Sequence, residues 1–135
     1  MEYQFKIPFG DTDAAGIVYY PNYYRYMDNA THEFFEKIGY PTEEMLEKKQ
    51  AIPLLEAHCN FFAPGRFHRI ITVKTSVGEI RDKVFKLIHQ FKDQDTVIAE
   101  GYEVRAWVSL DGGKPKAQPI PEELKHKLQR YQTGG

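Results

Sequence analysis

Residues 22–39 read NYYRYMDNATHEFFEKIG. Apolar side chains fall at Tyr23, Tyr26, Met27, Ala30, Phe34 and Ile38, steps of three and four residues that gather them on one face of an α-helix. Pro21, just ahead, costs nothing there, because the first N–H groups of a helix have no intrahelical acceptor. Gly39 and Pro41 stop the helix. This is the one long helix of the chain, so what flanks it decides the fold class.

The flanks read mostly as strand. Upstream, MEYQFKIPF alternates Tyr3, Phe5 and Ile7 against Glu2, Gln4 and Lys6. Downstream, LLEAHCNFF reads as a strand closed by Pro64-Gly65, and RIITVKTSVGEI alternates Ile71, Val73, Thr75 and Val77. KVFKLIHQF puts Phe85, Leu87, His89 and Phe91 on one face. TVIAEGYEVRAWVSL reads as one strand with Tyr102, Val104, Ala106, Val108 and Leu110 on one face, and Asp111-Gly112-Gly113 is a hairpin-type turn. EEMLEKK suggests a short second helix, PEELKHKLQRY a surface helix, and residues 132–135, QTGG, a frayed, flexible tail. Short connections favour antiparallel pairing. The expected fold is therefore α+β, one domain over residues 1–135: a long helix against a five-stranded antiparallel sheet. Such a sheet keeps an uncovered face or edge, which a second copy of the chain would cover.

Composition narrows the function classes. With 135 residues, 41% hydrophobic and 27% charged, the chain is long enough for a core and too polar to span a bilayer. A formal net charge of −1 argues against nucleic acid as partner, since such affinity rests on excess Lys and Arg. The start, MEYQFKIPFG, has no apolar leader, and Cys59 is the only cysteine, so the expected compartment is a reducing cytoplasm and no disulfide or Cys-rich zinc site is expected.

Residues 10–23, GDTDAAGIVYYPNY, carry the candidate chemistry. A calcium loop would need oxygen ligands where Ala15 stands, a Glu where Asn22 stands, and a helix where the preceding segment reads as a strand. A plain strand-to-helix turn is compatible with every residue of it. Three features favour chemistry. The loop runs into a helix start, where free N–H groups stabilise developing negative charge. Gly16 admits close backbone approach, and Ile17, Val18, Tyr19 and Tyr20 make the surroundings apolar. A carboxylate beside oxyanion donors suits acyl transfer. Elsewhere the chain offers little. Cys59 and His58 are strand neighbours on opposite faces, so they cannot pair, and Cys59 reads as core. His32 reads as helix surface, with Glu33, Glu36 and Lys37 as a solvated face. No G-x-S-x-G or H-E-x-x-H occurs.

The segment FGDTDAAGIVYYPNYYRYMD closely resembles the active-site motif of the 4-hydroxybenzoyl-CoA thioesterase branch of the hotdog-fold acyl-CoA thioesterases, D-x-D-x-x-G-h-V-a-x-x-x-Y, with h apolar and a often aromatic. FFAPGRF and GYEVRAWVSLDGGKPKAQPIPEEL resemble further segments of that family, so the likeness covers nearly the whole chain. His68-Arg69 departs from the acidic pair common there. The resemblance implies a hotdog fold and hydrolysis of an acyl-CoA thioester, with CoA part of the substrate and no separate cofactor or metal. It implies Asp13 as nucleophile or general base, Asp11 as a loop-shaping residue, and the Tyr20 backbone N–H as the donor to the thioester carbonyl. Gly16, Val18 and Tyr19 would line the substrate, and Arg81 and Lys83, in EIRDKVF, would hold CoA phosphates, with Asp82 standing where a relative has a base. It also implies a homodimer or homotetramer with the site between chains. The alternatives are a hotdog hydratase or dehydratase, against which the loop's lack of histidine counts, and a non-catalytic acyl-CoA-binding module, for which Asp13 would be superfluous.

Overall fold

The structure, a computed structural model, describes residues 1–133. Strand β1 (Glu2–Lys6) leads through a 3-10 turn (Phe9–Asp11) and the loop above into α1 (Asn22–Lys37) and a short α2 (Thr42–Glu47). Then come β2 (Gln50–Ala51), β3 (Leu54–Phe61), β4 (Ile70–Ile80), β5 (Val84–Asp93), β6 (Thr96–Ala106), β7 (Val108–Ser109), β8 (Lys116–Ala117) and α3 (Glu122–Gln129). The main sheet has five strands in the order β1-β4-β5-β6-β3, and every neighbouring pair is antiparallel. A small second sheet, β2-β7-β8, was not anticipated by the pattern.

Helix α1 lies across one face of the main sheet and buries Tyr23, Tyr26, Met27, Ala30, Thr31, Phe34 and Phe35. Its close seat depends on Gly101 of β6. A Cβ there would stand 2.6 Å from Met27 Sδ and 2.5 Å from the His58 carbonyl oxygen, so only glycine lets the helix rest on the strand. The core has two halves. One gathers Met27, Val73, Phe91 and Ala99 near the N-terminal end of α1, and the other Phe34, Phe85, Leu87 and Trp107 near its C-terminal end. Helix α3 closes the second half with Leu124 and Leu128, both fully buried, so this expected surface helix is amphipathic and half core.

Beside the apolar core lies a buried polar group of side chains: Thr31 from α1, Thr75 from β4, His89 from β5, and Glu103 and Arg105 from β6. Here the expected face of β6 is corrected. Glu103 and Arg105 point under the helix with Ala99 and Gly101, while Tyr102 and Val104 stand half-exposed on the outer face. Burial of these charges is possible because they satisfy one another. Arg105 Nε and Nη2 donate to the two Glu103 oxygens at 3.1 and 2.8 Å, Nη1 donates to the Ile52 carbonyl at 2.9 Å, and Nη2 also reaches Asp28 Oδ1 at 2.7 Å. The Thr31 hydroxyl donates to Glu103, and His89 Nδ1 meets Thr75 Oγ1 at 2.8 Å. Burial alone would raise the Glu103 carboxyl. The hydrogen bonds from His89 and Arg105 and the guanidinium charge outweigh it and hold the group at about 2.

Two further expectations change. The single strand read over residues 96–110 ends at Ala106, and Val108–Ser109 joins the small sheet instead. The tail read as frayed is tied down at its start: Gln132 Nε2 donates to the Gly78 carbonyl at 2.9 Å and Thr133 N to the Val77 carbonyl at 3.0 Å, which ties both to β4. The rest of that tail, residues 134–135, lies outside the described residues.

Candidate active site

The loop after β1 closes on itself through its backbone. Asp13 N donates to the Ile17 carbonyl at 2.9 Å and Gly16 N to the Asp13 carbonyl at 3.0 Å. Gly16 sits at φ 76°, and a Cβ there would meet nothing within 4 Å, so glycine answers a backbone angle and not crowding. The segment around Pro64 clasps the loop from outside: Val18 N donates to the Gly65 carbonyl at 2.8 Å and Phe67 N to the Gly16 carbonyl at 3.0 Å. Gly65 is the close-approach glycine, since its Cβ would lie 2.7 Å from the Tyr23 hydroxyl and 3.2 Å from Val18 Cγ2.

The two aspartates are held differently. Asp13 is exposed, and its Oδ1 accepts from Ala15 N at 2.9 Å and Ile17 N at 3.4 Å. Its Oδ2 takes no hydrogen bond among the described residues. One oxygen is oriented by backbone amides and the other is unengaged among the described residues. Asp11 is mostly covered and fully engaged: Oδ2 accepts the Tyr26 hydroxyl at 2.7 Å and Oδ1 pairs with Arg25 Nη2 at 2.7 Å. Burial first, then the Asp11 carboxylate, push the Tyr26 phenol far above its ordinary value, so it remains a donor across the working range.

At the helix start most N–H groups are already committed. Asn22, Tyr23 and Tyr24 donate to the carbonyls of Tyr19, Tyr20 and Pro21 at 3.0–3.1 Å, and Tyr19 N donates to the Asp11 carbonyl at 2.9 Å. Pro21 has no N–H. The Tyr20 N–H donates to no group among the described residues. The set of donors expected at this helix end therefore narrows to one amide, at Tyr20. Tyr19 and Tyr20 are exposed and stack edge-to-face with each other at 5.5 Å, and Phe61 of β3 lies beside Tyr20 at 6.4 Å. Val18 is buried in the core and backs the loop. Burial pushes the Cys59 thiol up to about 11, which fits a core residue and not a nucleophile.

Arg81 and Lys83 stand in the turn between β4 and β5, exposed on the molecule's edge. Arg81 is occupied by Glu79, Nε to Oε1 at 3.1 Å, and borders a cleft of about 300 Å³ with Glu56, Lys86 and Tyr102 on the outer sheet face. Strand β4 separates this turn from the clasp around Pro64, and its eleven residues span about 30 Å. A single chain therefore does not bring Arg81 and Lys83 to the Asp13 loop.

The sequence of the thioesterase-like superfamily matches residues 7–128. The chain belongs to that superfamily. Among curated relatives, 4-hydroxybenzoyl-CoA thioesterase of Pseudomonas sp. strain CBS-3 is 28% identical over 128 residues, covering 89% of this chain and 91% of the relative. A 1,4-dihydroxy-2-naphthoyl-CoA hydrolase of Prochlorococcus marinus strain MIT 9515 is 24% identical, covering 92% and 85%. Among solved structures, that of BH1999 gentisyl-coenzyme A thioesterase superposes with a TM-score of 0.87 at 44% identity, over 95% of this chain and 99% of that one. The fold is thus the hotdog fold and the protein a thioester hydrolase, as the motif implied.

Several site residues were not singled out from the sequence. In sequence Arg25 and Tyr26 stand out only as helix positions, Gly65 as a turn residue, and Asp28, Glu103 and Arg105 as ordinary charged positions. A signal existed for the last pair: opposite charges two apart on a strand share a face and can neutralise each other. Arg105 also floors an apolar pocket of about 270 Å³ between α1, α2 and the small sheet, lined by His32, Met45, Ile52 and Leu110. His32, expected on the helix surface, is half-buried there and bonds Thr42 Oγ1 through Nδ1 at 2.8 Å.

Proposed function

We propose that this chain hydrolyses an aryl-CoA thioester, with Asp13 as nucleophile or general base and the Tyr20 N–H as oxyanion donor. One observation carries the reading: on one loop, Asp13 Oδ2 and the Tyr20 N–H both lack a hydrogen-bond partner among the described residues, while Asp13 Oδ1 is held by the amides of Ala15 and Ile17. A thioester carbonyl is electrophilic, and attack on it moves charge to its oxygen. An amide fixed by the fold meets that charge without reorganising, and one such donor is worth roughly 3 kcal/mol of barrier. The aromatic acyl class is supported by the names of the relatives, gentisyl-CoA at 44% identity above all, and by the exposed Tyr19, Tyr20 and Phe61 beside the loop.

The reading requires two chains. Among the described residues β3 is an edge strand of the main sheet, with Leu54, Leu55 and Phe61 exposed, a surface that proteins rarely leave open to water. A second copy added antiparallel along β3 would extend the sheet and turn its β4–β5 end toward the first copy's loop. The partner's Arg81 and Lys83 could then reach the CoA phosphates. A homodimer is the minimal assembly, and a homotetramer is compatible with it.

The test is free-thiol release from 4-hydroxybenzoyl-CoA, gentisyl-CoA and hexanoyl-CoA by wild type, Asp13→Asn and Asp11→Asn, with an enoyl-CoA hydration assay alongside. Aryl-CoA turnover with a loss of at least ~10²-fold in kcat for Asp13→Asn supports the proposal. Wild-type rates in Asp13→Asn, hydration without hydrolysis, or tight binding without turnover would each replace it.

A further inference from the structure

Asp11 adjoins, through the backbone, both groups that the proposed reaction uses. Its carbonyl accepts Tyr19 N at 2.9 Å, which fixes the peptide next to the Tyr20 amide. Its side chain lies two residues before Asp13, across Thr12, whose backbone is extended at φ −104° and ψ 159°. In extended chain, residues two apart project to one side, so the setting of Asp11 is passed directly to Asp13. Asp11 in turn is gripped by α1. Tyr26 donates to Oδ2, Arg25 pairs with Oδ1, and Asn22 Nδ2 donates to the Asp11 carbonyl at 2.9 Å. Asn22 Oδ1 accepts from Arg25 Nη2 at 3.3 Å, which closes the ring of contacts.

The grip is rigid at its root. The Tyr26 ring is buried, 4.5 Å from the Phe5 ring of β1 and 5.8 Å from that of Tyr23, so its hydroxyl cannot swing. A salt bridge as exposed as that of Arg25 would do little for stability alone. Here its charge offsets a carboxylate that would otherwise stand uncompensated beside Asp13.

We propose that Tyr26 and Arg25 are positioning residues that act through Asp11 to set the Asp13 carboxylate against the Tyr20 amide. This rests on the reading of Asp13 given above. The helix that packs the core thereby fixes the reacting geometry, and small displacements of that geometry are costly in rate.

The experiment uses the full chain and 4-hydroxybenzoyl-CoA as probe. Tyr26→Phe keeps the ring and removes only the hydroxyl, and Asp11→Ala removes the acceptor. The expected result for Tyr26→Phe is a fall in kcat of about 10-fold or more with KM within about 2-fold, because binding is left while alignment is lost. The double variant should be no slower than Asp11→Ala alone, since both act through one contact. Equal kcat for Tyr26→Phe and wild type overturns the proposal, and so do multiplicative losses in the double variant. A change in KM with kcat unchanged overturns it too. If Asp13→Asn is as active as wild type, the reading of Asp13 itself fails. If Asp13→Asn is inactive while Tyr26→Phe is fully active, only this inference fails. Circular dichroism melts on each variant, with rates normalised to folded protein, keep a folding loss from being scored as a kinetic one.

Discussion

Removing Arg105 should turn a stabilising buried carboxylate into a destabilising one, and the sign of the pH dependence will show it. Arg105 and Glu103 are 6% and 2% exposed at their side chains. In the wild type Glu103 sits at about 2 against an ordinary 4.5, a shift worth about 3 kcal/mol of stability by linkage. Because the folded value is depressed, that contribution is complete above pH 4.5 and is lost as pH falls through 2. Arg105→Met deletes two bonds to Glu103, one to Asp28 and one to the Ile52 carbonyl. Breaking one side of a buried pair costs about 3–5 kcal/mol, or ~10–20 °C in Tm for a chain of this size. Burial is the largest single influence at Glu103, and with the guanidinium gone only the His89 and Thr31 contacts oppose it, so its carboxyl rises and is expected to pass its ordinary value. A raised carboxyl penalises the folded state at neutral pH, and the penalty eases as pH falls. Urea denaturation at fixed protein concentration should therefore show a deficit that shrinks between pH 7 and pH 5. Glu103→Gln added to Arg105→Met should recover at least half of the loss, since no charge is then stranded. A deficit below about 1 kcal/mol, or one that is the same at pH 7 and pH 5, would refute the reasoning and mean that water reaches the pair as at a surface.

Gly101→Ala should cost about 1–3 kcal/mol in the same assay, because the new Cβ meets a backbone oxygen at 2.5 Å that the β3–β6 ladder holds in place; an unchanged melt would contradict the close seat of α1. Gly65→Ala should push on Tyr23 and Val18 and lower turnover per folded molecule, and full activity would show that the clasp does not set the loop. Leu54→Lys with Leu55→Lys should convert the assembly to monomers by light scattering and abolish turnover, whereas an unchanged mass would exclude β3 as the interface.

What the sequence determined by itself is local. The three-and-four spacing from Tyr23 to Ile38 required a helix whatever it packs on, and the alternation in Phe85–Phe91 and Ile71–Val77 required strands of set facing. The D-x-D-x-x-G pattern marked the loop, because a glycine at positive φ and a carboxylate capping nearby amides are properties of a few adjacent residues. What only the tertiary structure decided depends on residues far apart in the chain. The alternation in β6 offered two faces, and apolarity favoured the one with Tyr102 and Val104. The fold chose the other because Glu103 and Arg105 find His89, Thr31 and Asp28 there, 14 to 77 residues away. Hydropathy scores a buried charge as an error, since it cannot see the partner that cancels it. Likewise residue type and spacing alone do not tell Asp11 from Asp13, which only the family resemblance separates in sequence. Their surroundings part when α1 folds back to lay Tyr26 and Arg25 on the first, while Oδ2 of the second takes no partner among the described residues.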